Sequence, residues 1–322
     1  MVAELMRAFL WERYGLAEAA LRMAEVDKPS PGPNEVLVRV LAVSINPADW
    51  RSMRAKPFFA RFALGLVRPK YRILGGDLAG RVEDTGSGVT RFKPGDEVYG
   101  DMLDHGLGAF AEHVSAPIDV LAPKPANLSF EEAAAVPVAG VTALQGVRQL
   151  GEIRPGQKLL VNGASGGIGT FAVQIATSFG AEVTGVTSSR NIDMVRSLGS
   201  DHVIDYTTTD FTRGERYDLI VDTIGNRSVA DLRRALVEGG KASVIGFTTT
   251  ARLIGLMLRG GKNINLVSAR VTVEDLDVLT RLIDAGKVRP QIDRRYSFAE
   301  IPSALAYLER GHARGKVVVG VP

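Results

Sequence analysis

The chain has 322 residues, 45% of them hydrophobic, which is long for one core and comfortable for two domains. Its 39 Lys+Arg against 36 Asp+Glu leave a formal net charge of +3, little reason to expect nucleic acid or an anionic membrane as a partner. There is no cysteine, which excludes disulfides and thiolate metal sites, and the opening Met1-Val-Ala-Glu-Leu-Met-Arg7 lacks the apolar stretch of a signal peptide, so a soluble cytoplasmic protein is the expectation.

In chain order, strands are predicted over 7–11 and 35–44, the second after the turn-forming Pro29-Ser-Pro-Gly-Pro33, then over 78–83, 97–99, 109–115 and 120–123. Gly86, Gly88, Pro94 and Gly95 punctuate them, and the pattern predicts a mainly antiparallel, barrel-like domain. The tract 51–72 is the most basic region, mixing Arg54, Lys56, Arg61, Arg68, Lys70 and Arg72 with Phe58, Phe59, Phe62 and Tyr71. It reads as a solvated or substrate-covering loop rather than a nucleic-acid surface.

From Ser129 the pattern changes. Ser129 with Glu132 three residues on predicts a capped helix, and 141–150 reads as a second one. Strands over 159–161, 182–187, 201–204, 219–222, 242–246 and 263–268 then alternate with helical patterns over 191–198 and 228–236, with a short helix or lid over 252–258. Such alternation predicts βαβ units and a parallel sheet. A helix over 273–285 follows, and strand, helix and strand over 291–296, 298–309 and 316–319 are expected to rejoin the first domain.

The organising stretch is 158–180. Leu159, Leu160 and Val161 read as a buried strand, Gly163-Ala-Ser-Gly-Gly-Ile-Gly169 as a turn, and Ile168, Phe171, Ala172, Ile175, Ala176 and Phe179 keep the period of a helix packed on a sheet. Gly163 permits a tight turn, Gly166 lets backbone N–H groups approach a pyrophosphate, and Gly169 lets the helix sit close to its strand. The spacing is Gly-x-x-Gly-x-x-Gly rather than the commoner Gly-x-Gly-x-x-Gly.

After the next strand, Ser188, Ser189 and Arg190 stand where an NAD site usually carries an acidic residue. An arginine with hydroxyl donors suits the ribose phosphate of NADP, which a carboxylate repels, so NADPH is favoured; the alternative is an Arg190 that merely caps a turn in solvent. Tyr206 either offers its hydroxyl to the same phosphate or is an ordinary surface tyrosine. Gly246 and Phe247 follow a strand where ribose or nicotinamide contacts are expected, and Asp222 reads as a contact there or as a turn cap. His105, His113, His202 and His312 form no compact metal motif, and no hydrolase or zinc-protease motif is present. Asn46, Asp49 and Trp50, beyond the strand 35–44, read as substrate-site residues or as an ordinary turn and cap.

Taken together, seven segments resemble the medium-chain dehydrogenase/reductase superfamily and, more narrowly, its zinc-independent quinone oxidoreductase branch. They are Ser44-Ile-Asn-Pro-Ala-Asp49, Leu74-Gly-Gly-Asp-Leu-Ala-Gly80, Phe92-Lys-Pro-Gly-Asp-Glu-Val98, Gly140-Val-Thr-Ala-Leu144, Asn162-Gly-Ala-Ser-Gly-Gly-Ile-Gly169, Gly199-Ser-Asp-His-Val-Ile-Asp205 and Gly311-His-Ala-Arg-Gly-Lys316. The resemblance covers nearly the whole chain. It implies an α/β protein in which a GroES-like, mainly β catalytic domain, 1–128 and 286–322, is interrupted by a Rossmann NADPH-binding domain with a doubly wound parallel sheet, 129–285. It further implies an active site in the cleft between them and, usually, a homodimer.

By the same resemblance Gly76 and Asp77 sit where zinc-dependent relatives place a histidine and a glutamate, and the structural zinc lobe is missing. Asn46 matches the family's asparagine near the nicotinamide or substrate, Thr142 its threonine beside the nicotinamide, and Ser165, Gly166, Gly167 and Ile168 its pyrophosphate loop. Lys316 matches a lysine close to the cofactor. Tyr71, just before Leu74-Gly-Gly-Asp77, is a candidate catalytic tyrosine without a secure match.

The expected activity is NADPH-dependent reduction of a quinone or related conjugated carbonyl, without metal. The rival enzyme is an enone or alkenal double-bond reductase, for which a proton donor such as Tyr71 is more useful. A third reading is an NADPH-binding structural or regulatory protein with little turnover.

Overall fold

The computed structural model describes residues 4–148 and 153–322. In chain order the strands are β1 (Leu5–Trp11), β2 (Leu21–Asp27), β3 (Glu35–Ile45), β4 (Asp77–Thr85), β5 (Glu97–Asp101), β6 (His113–Pro117), β7 (Leu121–Pro123), β8 (Lys158–Asn162), β9 (Glu182–Thr187), β10 (His202–Asp205), β11 (Tyr217–Asp222), β12 (Leu236–Val244), β13 (Ile264–Leu266), β14 (Ile292–Ser297) and β15 (Lys316–Gly320). The chain divides into two compact units, Met1–Val138 with Val271–Thr280 and Ile292–Pro322, and Ala139–Arg270 with Arg281–Gln291.

The first unit holds a sheet of order β14-β15-β3-β4-β5-β7, with β6 also paired to β3, and a separate β1-β2 ribbon. All these pairings are antiparallel except β14 with β15. β3 is the spine: Val36, Val38, Val40 and Val43 are fully buried, and their branched side chains fill a core with Phe9, Trp11, Leu78, Phe110 and Leu121. Each such side chain contributes about 1.5–3 kcal/mol through burial.

β2 departs from the sequence expectation. Leu21–Asp27 is an edge strand with little buried surface, so its charged and mixed composition carries no alternation to read. The strand expected over 109–115 begins only at His113, because Ala111 makes a lone bridge to Ala8 and Phe110 lies in the core. The capped helix does form: Phe130–Ala134 starts with Glu132 N–H donating to Ser129 Oγ at 3.2 Å and Ser129 N–H donating to Glu132 Oε2 at 3.0 Å. It belongs to the first unit, where Arg295 Nε donates to Glu131 at 2.7 Å and the short helix lies against β3, β4 and β15. The domain boundary of 128/129 therefore differs from the compact units, the first of which runs to Val138.

The second unit holds a six-stranded sheet of order β10-β9-β8-β11-β12-β13, parallel at every pairing. The order turns back at β8, and ligands of open parallel sheets collect outside the strand ends at such a point. Leu159, Leu160 and Val161 are fully buried, as a two-sided parallel strand requires. The predicted helix over 141–150 is Pro137–Arg148, and its expected last two positions lie outside the described residues. Among the described residues no helix is long and apolar enough to cross a membrane.

Candidate active site

In the first unit, β3 ends at Ile45 and Pro47 starts the helix Pro47–Arg54, its fixed φ suited to a helix start. Asn46 between them takes an extended backbone as the N-cap, and its N–H donates to Asp49 Oδ2 at 2.7 Å. Antiparallel pairing of β3 with β4 and with β15 brings the first residues of those strands, Asp77 and Lys316, to the same end.

Around Asn46 the bonds are short and buried. Its Nδ2 donates to Asp77 Oδ2 at 2.8 Å, and its Oδ1 accepts from Lys316 Nζ at 2.6 Å. Ser44 Oγ donates to Asp77 Oδ2 at 2.6 Å, Val138 N–H donates to Asp77 Oδ1 at 2.9 Å, and Lys316 Nζ lies 3.4 Å from Oδ2. A carboxylate on one side and an ammonium on the other fix which way the Asn46 amide faces. Among the described residues, Asp77 is the one acceptor for Nδ2, which leaves its second hydrogen uncommitted there.

Two further buried carboxyls lie beside this network. Asp49 has no partner for Oδ1 among the described residues, and burial pushes its pKa up to about 7, opposed by the Asn46 N–H, reinforced by Asp77 and opposed by Lys316. Asp101 Oδ1 likewise has no partner among the described residues; burial, then the neighbouring Asp77, push its carboxyl well above the usual carboxylate range. Gly76 is closed by packing, since a Cβ there collides with Asp101 Oδ1. No group of three or more His, Cys, Asp or Glu among the described residues could hold a metal ion.

Tyr71 does not join the network. It packs half-buried on the core of the first unit, with the Lys70 ammonium 5.3 Å from its ring centre. Trp50 is likewise partly buried on that core, and Arg51 lies over its ring. The Asp49 cap anticipated from sequence is present, and its buried, unpartnered oxygen is what sequence alone did not reveal.

In the second unit the glycines divide by function. Gly163 has φ +86°, and a Cβ there collides with Thr223. Gly169 faces the Gly163 carbonyl so closely that no side chain fits. Gly166, the cap of the helix Gly167–Ser178, is different: at φ −84° a Cβ meets only the Gly163 carbonyl at 3.5 Å, an ordinary contact. Protein packing therefore does not require glycine at 166, whereas backbone approach to a diphosphate does. Ser165, Gly166, Gly167 and Ile168 are the partly exposed run between buried Ala164 and buried Gly169, so the cradle fits a dinucleotide's pyrophosphate.

Ser165 Oγ accepts from Thr187 Oγ1 at 2.8 Å and from Asn191 Nδ2 at 3.1 Å, which ties the turn to the end of β9. Ser188 follows β9 directly, and Arg190 is exposed with no ion-pair partner among the described residues. Tyr206 follows β10, is half exposed, and anchors by its N–H to Thr187 O at 3.0 Å. β10 pairs with β9 at Asp205 and Thr187, so Ser188 and Tyr206 leave adjacent strand ends. Asp205 beside them is taken up by local bonds: Thr207, then Ser189, hold its carboxyl below the usual value.

At the other side of the switch, Asp222 Oδ1 accepts from Asn162 Nδ2 at 2.8 Å and from Gly225 N–H at 2.9 Å, so its role is to cap the turn. Gly246 and Phe247 leave β12 and line a cavity of about 680 Å³ with Gly225, Arg227, Leu232 and Arg252. Thr142 is buried on the helix Pro137–Arg148.

Comparison with known proteins gives the family. The family model described as "Alcohol dehydrogenase GroES-like domain" matches residues 32–126, and that described as "Zinc-binding dehydrogenase" matches 198–319. The chain is 33% identical to "Quinone-oxidoreductase QR1, chloroplastic" of Triphysaria versicolor, over 99% of each chain. It is 34% identical to the "2-methylene-furan-3-one reductase" of Solanum lycopersicum, over 98% of this chain and 79% of that protein. Among solved structures, the quinone oxidoreductase from Coxiella burnetii superposes with a TM-score of 0.89 at 30% identity, covering 99% of this chain and all of the other. Fold and site define a dinucleotide-linked oxidoreductase. The chain belongs to the medium-chain dehydrogenase/reductase superfamily, in its quinone oxidoreductase branch.

Proposed function

We propose that this protein is an NADPH-dependent reductase that delivers hydride to a quinone or related conjugated carbonyl without a metal ion. The observation that carries the reading is the Lys316–Asp77–Asn46 network, in which the carboxylate that follows Gly76 is already paired with an ammonium and three further hydrogen-bond donors converge on it. A cation is thus built into the protein at this point, and Gly76 offers no ligand.

When bound, the reduced nicotinamide supplies the hydride. The turn from Ser165 to Ile168 holds the pyrophosphate by backbone N–H groups, and Ser188, Arg190 and Tyr206 hold the extra phosphate. Support for NADPH over NADH is the exposed Arg190, without an ion-pair partner among the described residues and beside hydroxyl donors, while nearby Asp205 is engaged by Thr207. Asn46, locked by its two neighbours, presents its remaining Nδ2 hydrogen to the substrate carbonyl, where an oriented dipole favours developing negative charge. Thr142 and Phe247 line the nicotinamide.

A second reading, reduction of an enone or alkenal double bond, is favoured by Asp49, whose carboxyl keeps a proton up to about pH 7 next to Asn46. The tomato relative named for a 2-methylene-furan-3-one points the same way. Kinetics with a panel of quinones and enones, following loss of NADPH, decide between them. Preference for quinones is expected; preference for enones, with a rate that falls on Asp49→Asn, puts the second reading first.

A further inference from the structure

The segment between the helix Pro47–Arg54 and β4 shows an unusual surface. Phe58 is 72% exposed, Phe59 56%, Phe62 78%, Leu66 62% and Val67 84%, all within ten residues of one another. Scattered apolar side chains are normal on a protein surface, but a local concentration marks contact with another apolar body.

The segment is built, not merely left over. The turn Phe58–Ala60 runs into the short helix Arg61–Leu64, and the Tyr14 hydroxyl donates to Gly65 O at 2.6 Å. The Arg61 guanidinium lies 4.6 Å from the Tyr14 ring centre and 5.0 Å from that of Phe58. Lys70 N–H donates to Leu64 O at 2.6 Å, and Trp11 N–H donates to Arg72 O at 2.7 Å. Leu64, Tyr71 and Ile73 pack inward on the core. The same anchors that turn these three inward hold the five others in solvent.

Its chemistry is just as selective. From Met53 to Lys70 every side chain is apolar or cationic: there is no Asp, Glu, Ser, Thr, Asn, Gln or His. Lys56, Arg68 and Lys70, at the two ends of the apolar run, are exposed. Protein interfaces are enriched in aromatic residues and arginine but depleted of lysine, which stands here at Lys56 and Lys70. Base stacking would use only the three phenylalanine rings and leave Leu66 and Val67 in solvent. Apolar tips flanked by cations fit the boundary of a bilayer, where rings enter the acyl region, ammonium and guanidinium groups meet lipid phosphates, and long alkyl stems span the two.

We propose that the segment from Lys56 to Lys70 docks this protein on the surface of a bilayer that contains anionic lipid. The net charge of +3 concealed this, because the docking charge is local and the remainder of the chain balances it. Docking is independent of the activity proposed above, since vesicle binding is read without turnover.

The test is cosedimentation of the full chain with vesicles of phosphatidylcholine alone or mixed with phosphatidylglycerol. Binding to the mixed vesicles is expected to exceed binding to the neutral ones at least about tenfold and to weaken with added salt. The exposed triple variant Phe58→Ser/Phe62→Ser/Val67→Ser should lose at least about tenfold on mixed vesicles. Lys56→Gln/Arg68→Gln/Lys70→Gln should erase the difference between the two vesicle types, with the thermal transition of both variants near that of the parent. Absence of vesicle binding, or equal binding by parent and variants, overturns the proposal. So does a change of oligomeric state on Phe58→Ser/Phe62→Ser/Val67→Ser in sedimentation velocity without vesicle binding, which assigns the patch to a second copy. Capture of a labelled single-stranded oligonucleotide in place of vesicles overturns it equally.

Discussion

Lys316 Nζ donates to Asn46 Oδ1 at 2.6 Å although 270 residues separate them in sequence. Only the antiparallel pairing of β15 with β3 brings them together. The bond, with Asp77 on the other side of the same amide, sets the orientation of the one side chain proposed to face the substrate carbonyl.

Removing the ammonium should expose the cost of the buried carboxylate. Lys316→Met leaves Asp77, fully buried, without its counter-charge, and a loss on the order of 3–5 kcal/mol is expected in urea unfolding. Adding Asp77→Asn should recover part of that loss, because the uncompensated charge is then gone. No recovery in the double variant would show that Lys316 contributes through something other than the pair.

Asp49 makes stability depend on pH. Its carboxyl ordinarily titrates near 3.8 and is pushed up to about 7 by burial. The folded chain thus binds a proton that the unfolded chain has released, so its contribution is complete below about pH 4, declines as pH rises to about 7, and is then lost. The change is on the order of 4 kcal/mol at most. Asp101 is shifted in the same direction, so Asp49→Asn should flatten only part of the slope between pH 4 and 7. Urea midpoints across that range measure it, and an unchanged slope contradicts the assignment.

The glycine turn yields opposite expectations for two small changes. Gly169→Ala drives a Cβ into the Gly163 carbonyl and should destabilise the chain by about 1–3 kcal/mol. Gly166→Ala should change stability by no more than about 1 kcal/mol but weaken NADPH binding at least about tenfold, since the methyl enters the cradle. Thermal unfolding and cofactor titration of both variants separate packing from binding.

Arg190 is the residue proposed to discriminate between the cofactors. Arg190→Ala should lower the preference for NADPH over NADH by about 10- to 100-fold, the worth of a charge-assisted contact, with stability unchanged because Arg190 is exposed. Equal preference before and after substitution removes the residue from the phosphate site.

Much of this was legible because local chemistry wrote it. The parallel sheet followed from buried runs such as Leu159-Leu-Val161 alternating with helices, the capped helix from Ser129 and Glu132, and the cradle from glycines whose contacts now distinguish Gly166 from Gly169. β2 was not legible, since an exposed edge strand has no face to pattern. The Asn46–Lys316 bond was not legible from spacing either, since it exists only through strand pairing, and Asp101 gave no signal until Gly76 was seen to make room for it. The apolar tract 58–67 was visible as composition, but its outward orientation depends on anchors as distant as Tyr14.

Hydride delivery from NADPH to a quinone without metal is measured most directly as NADPH consumption by the purified chain with a quinone, in the presence of a strong chelator. Quinone-dependent consumption that the chelator leaves unchanged and that NADH supports less well is expected. No consumption with any quinone or enone, or activity abolished by the chelator and restored by zinc, contradicts it.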